Sequence, residues 1–325
     1  MSDRAAAVLA SLRLEARRRE VATDLILLRW VAERFLHRIS ISGHAERLTL
    51  KGAFLFAAWE GDLLRSTLDV DLHAPVEDAT GAEAMVCEIA ALVPPRDDGV
   101  AFEPQTCRAV PLIGTRVPGL RVSVGARLGT ARLRLRVDMS FGQPISPGPE
   151  VRQYPSLLPG FASFPVRAYP RETVVAEKLA VAVEYGRDNT RIRDYWDLWF
   201  IASRYRFAGH VLLDSLASTF ADRDAGTFVT RRDGYWEAAF GAEYANSRVA
   251  RSWTDWLERH APVTARPSFE EAVSCVARFA IPVLCALRDG AGFGGRWSCR
   301  HGWTATRQVS SKTQRLDGIP KSCST

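Results

Sequence analysis

Two aspartates separated by one residue, Asp69 and Asp71, have the type and spacing that a metal-dependent reaction requires. Alternate residues of a β-strand share a face, so a strand here would turn both carboxylates, together with Thr67, to the same side. The alternate positions, predicted to point into a core, are Leu68, Val70 and Leu72. Two carboxylates so placed can hold Mg²⁺ against the phosphates of a nucleoside triphosphate. Solvated acids on an exposed strand edge would explain the same pair.

A second predicted strand could bring a third carboxylate to these two. Residues 131–140 alternate between apolar and polar side chains over a full strand length, and Asp138 ends the polar face. A neighbouring strand could therefore deliver Asp138 to the same metal ions. Pairing of Asp138 with Arg136 or with another arginine is the alternative.

Lysine is rare in this chain, and its positions are informative. Only four of the 43 basic residues are lysines, and one of them, Lys51, precedes Gly52 in a predicted turn. Another, Lys178, falls beside the apolar face of a helix predicted to begin after Pro170. A lysine on an inward face needs a partner, and a compact ammonium suits phosphate oxygens. Chance retention of lysine is the alternative.

A further predicted helix carries two more acids. Asp194 and Asp197 are three residues apart and would lie on neighbouring positions of one face. Arg191 has the spacing to pair with Asp194. The aromatic residues between and after the two acids are expected to pack this helix against a core.

Taken together, these segments resemble the AbiEii/AbiGii toxin family of nucleotidyltransferases over roughly residues 20–285. The resemblance rests on ordered blocks: Leu-Lys-Gly-Ala at 50–53, Arg-x-Thr-x-Asp-x-Asp at 65–71, Val-Asp at 137–138, Tyr-Pro-Arg-Glu-Thr-Val-x-Ala-Glu-Lys at 169–178 and Asn-x-Arg-x-x-Asp-x-x-Asp-Leu at 189–198. It implies an α+β fold, in which a minimal polymerase-β-like core, a mixed sheet flanked by helices, precedes a helical C-terminal domain. Members are toxins of bacterial toxin–antitoxin or phage-defence systems, and some add nucleotides to the acceptor ends of transfer RNAs.

The resemblance also implies roles for individual residues. Asp69, Asp71 and Asp138 are the expected metal ligands, and Asp194 is expected to be a further catalytic or base-positioning carboxylate. Either Asp138 or Asp194 is expected to orient or deprotonate the attacking hydroxyl. The residues expected to contact the nucleotide are Lys51, Gly52, Arg65, Thr67 and Lys178.

Two positions depart from the family pattern. Leu68 stands where the family usually has a basic residue, and Arg193 stands where it usually has lysine. Neither change removes an expected metal ligand.

The implied reaction is the Mg²⁺-dependent transfer of a nucleoside monophosphate from a nucleoside triphosphate. The implied partners are a transfer RNA acceptor end and a cognate antitoxin protein. Two other functions fit the same motifs: nucleotidyl transfer to a small-molecule or protein hydroxyl outside a toxin system, and nucleotide binding without catalysis.

Composition and charge set the predicted organisation. We expect N-terminal helices in residues 1–45, a catalytic core with a Pro/Gly-rich linker in 46–165, a helical domain in 166–289 and a basic, disordered tail in 290–325. The formal charge of +6 comes mostly from the tail, so it says little about the partners of the core. No apolar run is long enough to span a membrane and no secretory signal is evident, so a cytoplasmic location is expected.

Overall fold

The segment that contains Asp69 and Asp71 forms the middle strand of the main sheet. This computed structural model describes residues 3–76, 78–113, 118–223, 225–231, 233–245 and 248–305. The strands in these residues are β1 (Thr49–Lys51), β2 (Asp69–His73), β3 (Val100–Pro111), β4 (Gly119–Leu128), β5 (Ala131–Ser140), β6 (Glu150–Tyr154), β7 (Phe164–Ala168), β8 (Phe207–Ala208), β9 (Arg296–Ser298) and β10 (Gly302–Thr304). The helices are α1 (Asp3–Arg18), α2 (Thr23–Ser40), α3 (Leu55–Glu60), α4 (Ala79–Ala91), α5 (Arg171–Tyr185), α6 (Ile192–Arg204), α7 (Gly209–Asp222), α8 (Gly226–Val229), α9 (Ala242–Ala245), α10 (Arg248–His260) and α11 (Phe269–Arg288).

The main sheet is mixed and has the strand order β3-β4-β5-β2-β1-β7-β6. Strand β2 runs parallel to β5 and antiparallel to β1, and β1 runs parallel to β7. Helices α1, α2 and α4 pack against β4, β5 and β3, respectively. A mixed sheet with flanking helices, followed by a helical C-terminal part, confirms the predicted α+β class.

The predicted alternation holds within β2 and fails just before it. Val70 and Leu72 are buried in the core, while Asp69 and Asp71 stay partly exposed on the other face. Leu68 was predicted to point into the core, but its exposed fraction is 43%. The reason is that β2 begins only at Asp69, so Thr67 and Leu68 belong to the preceding loop and do not follow the alternation of the strand.

The helical part contacts the polar face of the sheet at β1, where Lys51 donates a hydrogen bond to Glu177 of α5. Helix α5 begins after Pro170, as the sequence predicted, and α6 is amphipathic, with Tyr195 and Trp196 buried and Trp199 and Phe200 partly buried. Trp196 stacks on Phe200 and donates a hydrogen bond to the carbonyl of Ala265. The predicted packing role of the aromatic residues in α6 is confirmed.

The predicted linker and the domain boundary at its end are wrong. The Pro/Gly-rich stretch assigned to a linker contains β6 and β7, and the boundary placed at 165/166 falls inside β7. Composition hid the alternating buried residues Phe164, Val166 and Ala168, which make β7 a strand of the main sheet.

The tail predicted to be disordered is folded as far as it is described. Strands β9 and β10 join β8 in a small antiparallel sheet. Trp297 is buried there and donates a hydrogen bond to the carbonyl of Ala202 in α6. Apolar burial of two tryptophans, Trp297 and Trp303, against Phe279 outweighs the polar composition of this segment. The rest of the predicted tail, from residue 306, lies outside the described residues.

No helix in the described part of the chain has the length and apolarity needed to cross a membrane.

Candidate active site

Strand pairing brings three carboxylates to one face of the sheet. In the parallel pair of β2 and β5, Asp71 lies beside Asp138 and Asp69 lies beside Arg136. Residues in register on neighbouring strands share a face, so Asp69, Asp71 and Asp138 form one acidic cluster. Asp138 therefore lies beside Asp71 on the face of the two aspartates of β2, and its role as a third metal ligand stays a prediction.

The positive charge around Asp69 and Asp71 does not offset their burial and the repulsion from the neighbouring carboxylate. Burial and the nearby Asp138 raise the pKa of Asp71 to about 6, although Lys51 and Arg65 act in the opposite direction. Burial and Asp138 also raise the pKa of Asp69. Carboxylates that resist ionisation in this way favour a bound cation, because a cation stabilises their charged form.

Gly52 is the residue that lets β1 approach the acidic cluster. Lys51 pairs with Asp71 across the sheet, and the next residue, Gly52, has a φ of +68°. A Cβ atom on Gly52 would lie 2.0 Å from Oδ2 of Asp71. A glycine is thus required here both by the backbone conformation and by the carboxylate that packs over it.

We predict that Gly52→Ala displaces Asp71 and removes activity. The left-handed conformation alone costs about 1–2 kcal/mol for a residue with a Cβ, and the overlap with Asp71 adds to this. Thermal unfolding and nucleotidyl transfer would be measured beside Gly43→Ala, because a Cβ atom on Gly43 would meet no heavy atom within 4 Å. Equal activity of the Gly52 and Gly43 variants would contradict the proposed close approach.

Lys51 lies on the same face, at the edge of the acidic cluster. Its Nζ donates hydrogen bonds to Oε1 of Glu177 at 3.1 Å and to Oγ of Ser140 at 3.2 Å. The ammonium also lies 5.2 Å from the ring centroid of Tyr169. Lys51 is therefore held beside the carboxylates by groups from β5, α5 and the residue after β7, and stays partly exposed.

Two arginines that the sequence reasoning did not assign to the site bridge the carboxylates. Arg121 on β4 forms a two-pronged pair with Asp138, with both N···O distances 2.7 Å, and its Nη2 lies 3.2 Å from Asp69. Arg136 Nε lies 2.9 Å from Oδ1 of Asp69. Of the two alternatives for Asp138, pairing with an arginine is present, and the arginine is Arg121. Only the order of strands β4 and β5 could have revealed it.

Lys178 has the partners that its inward position required. Its Nζ lies 2.5 Å from Asp194 Oδ1 and 2.8 Å from Asp197 Oδ2. Arg65 forms a two-pronged pair with Asp197 at 2.7 and 2.9 Å, and Arg191 pairs with Asp194 at 2.6 Å. These residues form a network of five charges, which joins the loop before β2 to α5 and α6; Arg191 is exposed, and the other four are buried or nearly so.

The charges in this network stabilise one another. Burial would raise the pKa of Asp194, but Lys178 and Arg191 outweigh it and hold that pKa well below its ordinary value. Burial likewise opposes ionisation of Asp197, whose pKa is nevertheless lowered by Arg65 and Lys178. Asp194 and Asp197 are thus fixed as carboxylates, and neither is suited to accept a proton at neutral pH.

The loop that carries Thr67 is anchored to the helical part. Ser66 Oγ lies 2.6 Å from Nδ1 of His260 at the end of α10, and the Ser66 amide donates to the His260 carbonyl. Thr67 itself donates a hydrogen bond from Oγ1 to the carbonyl of Asp69 at 3.4 Å. The predicted contact of Thr67 with a nucleotide stays a prediction.

The acidic cluster fits a Mg²⁺ ion held by two carboxylates. Oδ1 of Asp69 is buried and accepts no hydrogen bond, although Arg136 lies nearby. Among the described residues, no group of three His, Cys, Asp or Glu side chains is arranged to hold a metal, and Arg121 occupies both oxygens of Asp138. Mg²⁺ is commonly held by one or two carboxylates and completed by substrate phosphates. Asp69 and Asp71 suit that arrangement if the ion displaces Arg121 and Arg136 from Asp69, and Asp138 would likewise have to exchange Arg121 for the ion.

The chain matches a known protein family and is similar to solved structures. A family model described as the nucleotidyl transferase AbiEii toxin of type IV toxin–antitoxin systems matches residues 34–275, which include all residues of the acidic cluster and of the Lys178 network. No curated protein matches the chain. Among solved structures, the chain is similar to a Helicobacter pylori protein described as a nucleotidyltransferase, with 12% identity, a TM-score of 0.46, and coverage of 83% of this chain and 98% of that chain. It is also similar to JHP933 from Helicobacter pylori, with 13% identity, a TM-score of 0.45, and coverage of 80% and 92%. The family match confirms the resemblance found in the sequence.

Proposed function

We propose that this chain, which belongs to the nucleotidyl transferase AbiEii toxin family, transfers a nucleoside monophosphate from a nucleoside triphosphate to an acceptor hydroxyl such as that of a transfer RNA end, with the help of Mg²⁺. The observation that carries the proposal is the register of three strands. It sets Asp69 and Asp71 beside Lys51-Gly52 on one side and beside Asp138 on the other.

The two aspartates of β2 and the adjacent Lys51-Gly52 turn each have a role in this proposal. Asp69 and Asp71 would hold the ion, whose positive charge would offset the negative charge of the triphosphate and of the departing pyrophosphate. Lys51 can exchange Glu177 for a phosphate oxygen, because its ammonium is a compact donor at the edge of the cluster. Gly52 leaves the space that the Asp71 carboxylate occupies over the backbone.

The sequence left two carboxylates, Asp138 and Asp194, as candidates to orient or deprotonate the attacking hydroxyl. The low pKa of Asp194 makes it a poor proton acceptor, and it lies in the Lys178 network and not in the acidic cluster. Asp138 lies next to Asp71 and is oriented by Arg121. We therefore assign the orienting role to Asp138 and assign Lys178 and Asp194 to the positioning of α5, α6 and the loop before β2.

The rate is predicted to fall as the pH drops through about 6. The pKa of Asp71 is raised to about 6, so its carboxylate gains a proton below that pH and can no longer hold a cation. Binding of Mg²⁺ opposes protonation, so a higher Mg²⁺ concentration should move the midpoint to lower pH. Initial rates measured between pH 5 and pH 8 at two Mg²⁺ concentrations test this. A midpoint that does not move with Mg²⁺ would contradict the role given to Asp71.

We also propose that the chain is the toxin partner of a cognate antitoxin. Induced expression of the wild-type chain in bacteria is expected to arrest growth, while Asp69→Ala, expressed to the same level, is not. Growth arrest by both chains would show that toxicity does not depend on the acidic cluster. Normal growth with both would favour a nucleotidyltransferase outside a toxin system.

One observation favours a second function, which is nucleotide binding without catalysis. Leu68 is exposed at the position where the family usually has a basic residue, and its apolar side chain carries no charge that could bind a nucleotide. Nucleoside triphosphate binding without release of pyrophosphate, over a range of acceptors, would support this function against the proposed transfer.

A further inference from the structure

One face of the β4–β5 hairpin carries a row of arginines that begins at the acidic cluster. In the antiparallel register, Arg121 lies opposite Asp138, Arg136 opposite Ser123, Arg134 opposite Gly125 and Arg132 opposite Arg127. Residues directly opposite each other share a face, so all of these arginines lie on the face of Asp69 and Asp71. We call this set, Arg121, Arg127, Arg132, Arg134 and Arg136, the arginine row.

Positive charge is concentrated in this part of the chain. Residues 100–140 contain seven arginines and only two acidic residues, Glu103 and Asp138. The remainder of residues 1–289 has more acidic than basic residues. A local positive surface on an otherwise slightly negative body directs a polyanion to that surface.

The arginine row divides into residues with partners and residues without them. Arg121 and Arg136 pair with the carboxylates of the acidic cluster, and Arg127 pairs with Glu103 at 2.9 Å. Arg132 and Arg134 are exposed and form no ion pair with any residue that the structure describes. Side chains two positions apart on a strand are separated by about 7 Å, so Arg132, Arg134 and Arg136 present evenly spaced cations over roughly 13 Å.

We propose that the arginine row is the docking surface for the acceptor, and that the acceptor is a nucleic-acid strand. This inference rests on the proposed function, because it takes the acidic cluster as the reaction centre. Arg132 and Arg134 bind successive phosphates, and the row leads the end of the strand past Arg136 to Asp69 and Asp71. Guanidinium groups are suited to this task because their planar donors bind phosphate oxygens in pairs.

The length of the row favours a nucleic acid over a small acceptor. A small molecule that reacts at Asp69 and Asp71 would contact at most the nearest arginines and leave Arg132 and Arg134 unused. A strand of phosphodiesters repeats its charge at regular intervals and can use the entire row.

The direct test is the affinity for bacterial transfer RNA, measured by fluorescence anisotropy without nucleotide. The test variant is Arg132→Ser with Arg134→Ser. The control is Arg13→Ser with Arg17→Ser, which removes the same charge from exposed positions of α1. Helix α1 packs on the other face of the sheet, where Val8 lies near Leu128. Thermal unfolding of both variants checks that the fold is intact.

The test variant is expected to bind the RNA at least about fivefold more weakly at 0.1 M salt. It should also lose about one unit per arginine from the slope of log affinity against log salt, while the control keeps the wild-type slope. Equal weakening in both variants, or wild-type protein that does not bind RNA at low salt, would overturn the proposal.

Because binding is measured without nucleotide, loss of catalysis alone leaves this result unchanged. Conversely, normal transfer to RNA by the test variant would overturn the docking surface and leave the proposed reaction intact.

Discussion

Asp71→Asn is expected to abolish nucleotidyl transfer and, at the same time, to make the protein more stable at neutral pH. The variant removes one of two carboxylates that hold the metal ion, so transfer should fall to background. It also removes a charge that the fold tolerates poorly, since burial and Asp138 raise the pKa of Asp71 to about 6. At pH 7.5 the melting temperature should rise by roughly 2–6 °C.

The gain in stability from Asp71→Asn should depend on pH in one direction. The folded state keeps the Asp71 proton up to about pH 6, whereas an unfolded chain releases it near its ordinary pKa of about 4. Ionised Asp71 therefore destabilises the folded state progressively as the pH rises from the ordinary pKa to the raised pKa, and to the full extent above the raised pKa. The stability gained by Asp71→Asn should consequently be present at pH 7.5 and absent near pH 4.

Thermal unfolding at both pH values, with Asp214→Asn as the control, measures this dependence. Asp214 is an exposed aspartate of α7, and its replacement should change little. A lower melting temperature of Asp71→Asn at pH 7.5 would show that Asp71 is stabilising, and that the site does not need a cation.

Lys178→Met is expected to destabilise the fold more than any other single change in the charged network. Asp197 is buried and Asp194 nearly so, and both would lose a cation, which lies 2.8 Å from Asp197 and 2.5 Å from Asp194 and for Asp194 is the closest one. Removing one partner of a buried ion pair commonly costs about 3–5 kcal/mol, because the remaining charge stays buried. Chemical denaturation monitored by the fluorescence of the buried tryptophans gives the free energy of unfolding.

The double variant Lys178→Met with Asp194→Asn provides the matched control. It removes one positive and one negative charge, so it should recover part of the lost stability. If Lys178→Met unfolds like the wild type but no longer transfers nucleotide, then Lys178 serves the triphosphate, as the family resemblance implies, and the positioning role is wrong.

The sequence predicted the parts of the site that depend on local pattern. Alternation fixed the face on which Asp69 and Asp71 lie, and the helical stripe showed that Lys178 needed partners, which are Asp194 and Asp197. It also offered Asp138 as a third carboxylate that a neighbouring strand could supply, and the register of β5 sets Asp138 beside Asp71.

Features that depend on distant contacts could not be predicted in the same way. Arg121 reaches Asp138 and Asp69 only because β4 is the neighbour of β5 on the side away from β2. Arg65 was expected to contact the nucleotide, but it is nearly buried against Asp197, 132 residues further along the chain. Its nucleotide contact stays a prediction.

Composition misled at two places for a common physical reason. Proline and glycine around β6 and β7 suggested a linker, and glycine, serine and arginine around β9 and β10 suggested disorder. In both segments a few buried apolar residues, such as Phe164 and Trp297, decide the structure. Apolar burial at particular positions therefore outweighs the average polarity of a segment.

The central claim, that Asp69 and Asp71 form a nucleotidyl transfer site, is tested most directly by label transfer. Purified protein would be incubated with Mg²⁺, each α-labelled nucleoside triphosphate in turn and total bacterial transfer RNA, beside Asp69→Ala and a sample with excess chelator. We predict label in the RNA with the wild-type chain, for at least one nucleotide, and none in either control. Label incorporated equally by Asp69→Ala would contradict the site.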